Sequence, residues 1–408
     1  MTNLHNIGPR PKSKLPAELL PIFFISAVLD ANLGSILALL AEIRTQFGID
    51  PFGIGLIGGS GFVSAVIAQI GLARLADRGH ARVMMIFGLV MVALSLVVLA
   101  QADSLWQFVS GRLLLGLGHG AFLPAARRTV IVMAGADAGT LLGRLGAAQM
   151  TGFLVGPLLG SILFGFAGLS AVFLISLAVV AGCVPLIARI KIDTDAAPHR
   201  KRVLRRLLKR PGMQSMICMA IGYYGSFGLY ESIWAIFLSD LGASQWFIGL
   251  NLTLFAVPMI LFAPLGGRLA NRYGAMKMAF IGVAVTIPFV ASYGMIESAI
   301  VLTILMLFQA VGDALVMPAS QLAVAEVSGD DIAAGQGLFG ACGLAVAAAV
   351  AFVGGAVYSA YGPAVLFASQ ACIMAITLLG AYYLGRNPLG PKSSANAAVE
   401  SPSSPPLP

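Results

Sequence analysis

Five ionisable side chains lie inside long apolar stretches of this 408-residue chain: Asp30, Arg112, His119, Glu231 and Asp313. A charge at the centre of a helix in lipid costs about 2.5 to 3.5 kcal/mol on insertion scales, so each needs a reason to be there. Asp30 sits in "FFISAVLDANLGSILALL" with no basic residue in the same stretch, and its carboxyl reads as a proton carrier or as a hydrogen-bond acceptor between helices. Arg112 reads as a static partner of Asp30 or as a group that snorkels to the interface. His119 reads as a proton relay or as a hydrogen-bonded packing residue, and Asp313 is a further candidate for proton coupling.

Glu231 has the richest surroundings, "YYGSFGLYESIWAIF". Tyr223, Phe227, Tyr230 and Trp234 step by four, three and four, which sets them on one helical face with Glu231 at its edge. An aromatic wall bearing a carboxylate suits a lipophilic cation, held by cation–π and Coulomb attraction; packing and interfacial belts are the other common uses of such aromatics. Three acids against one firm base disfavour phosphate and carboxylate ligands and favour neutral or cationic lipophilic ones. Cys183, Cys218, Cys342 and Cys372 lie in apolar stretches without paired spacing, so neither a disulfide nor a metal site is expected.

The elements that must position these groups follow from composition. With 58% hydrophobic residues, 10% charged and a mean hydropathy of +0.91, the chain is an integral membrane protein. About 20 apolar residues cross the hydrocarbon layer, and twelve such spans are predicted, near 19–41, 52–74, 83–102, 105–126, 141–166, 168–190, 213–238, 246–267, 276–295, 298–325, 332–357 and 362–384. With the N-terminus inside, 23 of the 25 Lys and Arg residues fall in cytoplasmic segments; Arg44 falls outside and Arg112 within span 4. The net charge of +8 therefore reflects topology, not nucleic-acid binding, and both termini are expected in the cytoplasm. The expected divisions are a cytoplasmic segment 1–18, a six-helix half 19–190, a basic linker 191–212, a second six-helix half 213–386 and a disordered tail 387–408.

Landmarks recur at one fixed offset of 194 residues. "FGIGL" (52–56) matches "WFIGL" (246–250), "RLADR" (74–78) matches "RLANR" (268–272), and "GHGAFLPA" (118–125) matches "GDALVMPA" (312–319). Two parallel six-helix halves follow, with a binding site expected between them near mid-membrane.

Four motifs resemble those of the major facilitator superfamily, over essentially all of residues 15–386. The loop pattern G-x-L-A-D-R-x-G-R-R/K appears as "ARLADRGHAR", with Ala73 and His80 in place of its glycines. Its second copy, "GRLANRYGAMK", keeps Gly267 and Gly274 but carries Asn271 for the acid. "RLLLGLG" matches the pattern of span 4 at Arg112, Gly116 and Gly118, a resemblance that implies a role for Arg112 in coupling proton movement through a nearby carboxylate. "GFLVGPLLG" matches G-x-x-x-G-P-x-x-G of span 5, which resembles the signature of drug:proton antiporters.

The resemblance implies an all-α fold of twelve transmembrane helices, with spans 1, 4, 7 and 10 lining the cavity. It further implies a latch in which Asp77, with Arg78, meets the start of span 11 and Arg127 or Arg128. Gly152, Gly156 and Gly160 form a close-packing stripe, bent by Pro157, whose expected partner is a helix of the opposite half. The functional expectation is a proton-driven exporter of hydrophobic small molecules in a bacterial inner membrane; an uptake symporter or facilitator for a neutral metabolite is the alternative. It is expected to work as a monomer, without a cofactor and without enzymatic activity: there is no G-x-x-x-x-G-K-S/T loop and no cluster of His, Asp or Ser.

Overall fold

A computed structural model of the chain describes residues 19–77, 80–134, 138–188 and 203–386, and every regular element among these residues is helical. Helices Leu20–Phe47, Pro51–Asp77, Ala81–Ala100 and Leu105–Ala134 are spans 1 to 4. Ala138–Ala188 carries spans 5 and 6, parted at Gly168, where a φ of 78° excludes helix. A short helix, Val203–Leu208, precedes span 7, which runs as Pro211–Ser232 and Trp234–Asp240. Span 8 is Gln245–Leu254 with Ala256–Tyr273, span 9 Ala275–Tyr293 and span 10 Ala299–Ser328. Ile332–Gly385 carries spans 11 and 12, parted at Gly362 with φ 77°. Gly168 and Gly362 are again 194 residues apart, so both halves break their last helix pair at the same register.

Two spans expected as unbroken are interrupted. In span 8, Pro258 has no N–H for the carbonyl of Leu254, and the helix breaks at Phe255. In span 7, the Ser232 hydroxyl donates back to the Gly228 carbonyl at 2.6 Å, an arrangement that bends helices, and the break follows at Ile233. The turn before span 3 also differs from its repeat: Gly274 takes φ 97°, whereas His80 takes φ −95°.

The stripe in span 5 packs within its own half, not against the opposite one. Gly152, Gly156 and Gly160 face Ala27, Ala31 and Ser35 of span 1, a matching row of small residues also spaced by four. A Cβ on Gly152 or Gly156 would overlap the carbonyl of Ala27 or Ala31. Ser35 closes the contact, donating to the Gly156 carbonyl at 2.8 Å. Two i±4 rows of small residues bring backbones together without a hydrophobic driving force, as packing in lipid requires.

The halves meet through spans 2 and 11, where Gly55 faces Ala351 and Gly355 faces Pro51. Phe62, Ala347 and Ala348 form a small apolar cluster along the same seam. At the end carrying Arg44 the halves are also tied by polar groups. Arg44 donates to Asp240 at 2.5 Å, Tyr358 donates to the other oxygen of Asp240 at 2.7 Å, and Gln245 donates to the Ala38 carbonyl at 2.8 Å. Arg44, the basic residue expected outside from the charge distribution, is thus one arm of a tie between spans 1, 7 and 11. The pair is about a third exposed and worth about 0.2 to 1 kcal/mol. Arg44→Ala is therefore expected to raise the population open at this end about 1.4- to 5-fold, read from spin-label distances across it. An unchanged distance distribution would mean that the pair does not bias the seal.

A central cavity between the halves

Spans 1, 5, 7, 8 and 10 enclose about 520 Å³ of empty space, part of it continuous with solvent. Span 7 supplies Phe227, Tyr230, Glu231 and Trp234; Leu37 comes from span 1, Phe153 and Pro157 from span 5. Leu252 and Phe255 of span 8 and Met306 of span 10 complete the wall. Glu231 contributes the carboxylate to this otherwise apolar and aromatic lining, and its Oε2 is buried without a hydrogen-bond partner.

Three of the four predicted aromatics line the cavity. Tyr223 does not: it is buried one turn deeper, beside Asp313, in electrostatic contact with it though outside hydrogen-bond geometry. Spans 5 and 8, which the resemblance did not assign to the cavity, form much of its wall, and among the described residues span 4 contributes no lining side chain. Trp234 is held by its ring N–H, which donates to Asn251 at 2.8 Å, and Asn251 donates to Thr303 at 2.8 Å. Neither Asn251 nor Gln309 was singled out in the sequence, because neither is ionisable; an uncharged amide inside an apolar span was the available signal.

Asp30 and His119 meet across spans 1 and 4, with Oδ1 and Nε2 3.0 Å apart. Their side chains are 11% and 17% exposed, so the pair is nearly enclosed yet reachable by water. Asp30 Oδ2 has no hydrogen-bond partner. Arg112 does not pair with Asp30 and does not snorkel. It is 1% exposed, and its guanidinium lies under span 2, donating to the carbonyls of Ile57 at 3.3 Å and Gly58 at 3.4 Å. Its Nη1 stays unpaired, and its field reaches Glu231 across the boundary between the halves. A Cβ on Gly58 would touch Ser232, which places the backbone holding Arg112 directly against span 7. The carboxylate in the cavity wall and the buried guanidinium are therefore held from opposite halves.

Of the predicted latch, Arg78 and the side chain of Asp77 lie outside the described residues; Arg127 is exposed and Arg128 partly buried. Pro157 sits inside the helix of span 5 and meets the opposite half, its carbonyl facing Gly249 of span 8.

Beyond the geometry, the model of the Major Facilitator Superfamily matches residues 20–233 and again 216–407. The chain belongs to this superfamily. As a member it is a multi-pass membrane transporter. It is 25% identical over 291 residues to the multidrug resistance protein MdtG of Salmonella paratyphi C (strain RKS4594), covering 68% of this chain and 72% of that relative. The same identity and coverage hold for MdtG of Salmonella arizonae. Among solved structures, the nucleoside transporter NupG superposes with a TM-score of 0.74 at 17% identity, over 91% of this chain and all of the other. A bacterial homologue of the human lysosomal transporter Spinster, inward-facing and occupied, gives 0.74 at 14% identity, covering 90% and 96% of the two chains. At these identities the structures speak for the fold alone.

Proposed function

We propose that this superfamily transporter is a proton-coupled antiporter that exports hydrophobic neutral or cationic small molecules from the cell, its halves rocking about the central cavity. The observation that carries the reading is Glu231: a carboxylate with an unpartnered oxygen in an aromatic cavity, where a cation would find both charge and π-faces. The likeness to multidrug resistance proteins supports the same class of cargo.

Asp30 and His119 supply the coupling in this reading. A proton arriving from outside neutralises the Asp30 carboxylate or charges the imidazole, and a proton leaving inward restores the pair; no cofactor is required. The distribution of Lys and Arg supports cytoplasmic termini in an inner membrane, so the tied end at Arg44 and Asp240 faces outside and the cavity is closed on that side. Asp77, Arg78, Arg127 and Arg128 are proposed to close the opposite end.

Glu231→Gln keeps the shape of the wall and removes the charge. It is expected to weaken binding of tetraphenylphosphonium on the order of 10- to 100-fold, measured on purified protein, and to leave an uncharged aromatic of similar size bound as before. Equal losses for both would assign Glu231 to packing. Efflux of the cation from everted vesicles, collapsed by a protonophore, tests direction and energy source together; flux in the opposite sense would make the protein an uptake carrier.

A further inference from the structure

Asp313 lies outside the Asp30–His119 pair and outside the cavity, 1% exposed, in the fourth span of the second half. It occupies the repeat position of His119, so each half carries a titratable group at the same point. Around it the second half has built a chain of side chains that the first half lacks. Gln309, one turn earlier, donates from Nε2 to Asp313 Oδ2 at 3.0 Å. Its Oε1 accepts from the hydroxyl of Tyr230 at 2.7 Å and from that of Tyr293. Tyr230 is part of the cavity wall. The positions equivalent to Gln309, Tyr230 and Tyr293 in the first half are Leu115, Ile36 and Leu99, which hydrogen-bond through no side chain.

We propose that Asp313 is a second proton-binding site whose occupancy is passed through the Gln309 amide to the Tyr230 hydroxyl on the cavity wall. The argument is an inventory of donors and acceptors. With Asp313 ionised, the carboxylate only accepts, so Gln309 turns its NH₂ toward it. Both lone-pair directions of Oε1 then hold the two tyrosine hydrogens, and Tyr230 has no proton to offer the cavity. A proton on Oδ2 makes that oxygen a donor. Gln309 must present Oε1 to it, the amide turns over, and its NH₂ now donates to the oxygens of Tyr230 and Tyr293. Their own hydrogens no longer point at Gln309, and that of Tyr230, a residue of the cavity wall, is free to turn toward the cavity.

A cavity wall that gains an O–H donor is less favourable for a cation, so proton uptake at Asp313 opposes cation binding. This is the sign an exchanger needs, and that consequence rests on the export reading above; the relay itself does not. The groups facing Asp313 are Gln309 on its own span, Tyr223 and Tyr230 on span 7 and Tyr293 on span 9. Among the described residues no cationic side chain touches it, so a proton is the available means of neutralising it.

Infrared difference spectra of the purified protein between acidic and alkaline buffer test the relay without any ligand. A protonated-carboxyl band is expected that Asp313→Asn removes, together with a tyrosine hydroxyl band that Tyr230→Phe removes. Gln309→Met should keep the carboxyl band and lose the tyrosine one. A carboxyl band with no tyrosine change, as when the proton settles on Oδ1, would overturn the relay; a spectrum unchanged by Asp313→Asn would overturn the site. In wild-type protein, acidification is further expected to lower tetraphenylphosphonium affinity by about tenfold more than in Gln309→Met. If the cation binds to neither protein while both infrared bands persist, the relay stands and the cation reading of the cavity fails.

Discussion

Asp30→Asn is expected to reduce proton-driven efflux in vesicles to background, with normal protein abundance and with exchange of labelled for unlabelled substrate retained. Asparagine keeps an oxygen 3.0 Å from His119, so the link between spans 1 and 4 survives. It cannot bind and release a proton, so the two sides of the membrane lose their means of sharing the proton gradient with the cargo. With its partner neutral, the His119 imidazole can shed its proton, so the variant need not bury an uncompensated charge, which typically costs about 3 to 5 kcal/mol. Efflux undiminished in this variant would take Asp30 out of the mechanism. Loss of exchange as well would move it from coupling to binding or to the fold.

Gly156→Leu should damage the first half itself. Even a Cβ at this position overlaps the Ala31 carbonyl, so a leucine must push span 5 away from span 1 by far more than rotamers can absorb. Overpacking of this kind costs about 1 to 3 kcal/mol, and more where both sides are backbone. The helix it is pushed away from carries Asp30, so thermal stability and efflux are expected to fall together. Gly249→Leu provides the contrast. Its Cβ would overlap the Ser161 side chain and meet the Pro157 carbonyl at 2.8 Å, both of them across the boundary between the halves. That variant is expected to melt like wild type while its population shifts toward the state open at the Arg44 end, read by spin-label distances. If Gly156→Leu were as stable as wild type and only transport failed, the stripe would be a moving contact and not a structural seam.

Much of the site was legible because lipid makes polarity conspicuous. Asp30, Arg112, His119, Glu231 and Asp313 stand out in apolar spans by the cost of burying them, and all five are in fact enclosed or nearly so. Their pairing was not legible. The carboxylate of Asp30 had two cations within reach by helix position, and the rotation of span 4 about its axis, a tertiary quantity, turned His119 toward it and laid Arg112 under span 2. The same limit applied to the aromatic face of span 7. Spacing placed Tyr223 with Phe227, Tyr230 and Trp234, yet the cavity ends one turn before Tyr223, where span 10 closes over it.

By itself the sequence determined that the chain spans a membrane, which of its segments do so, and that it is built from two like halves: hydropathy and a fixed offset of 194 residues are one-dimensional properties that survive any packing. Only the tertiary structure decided which helix each stripe and each charge would face. A row of glycines spaced by four states that something approaches closely, but not from where. Span 1 received it because Ala27, Ala31 and Ser35 present small residues at the same pitch, and that match exists only once the two helices lie side by side.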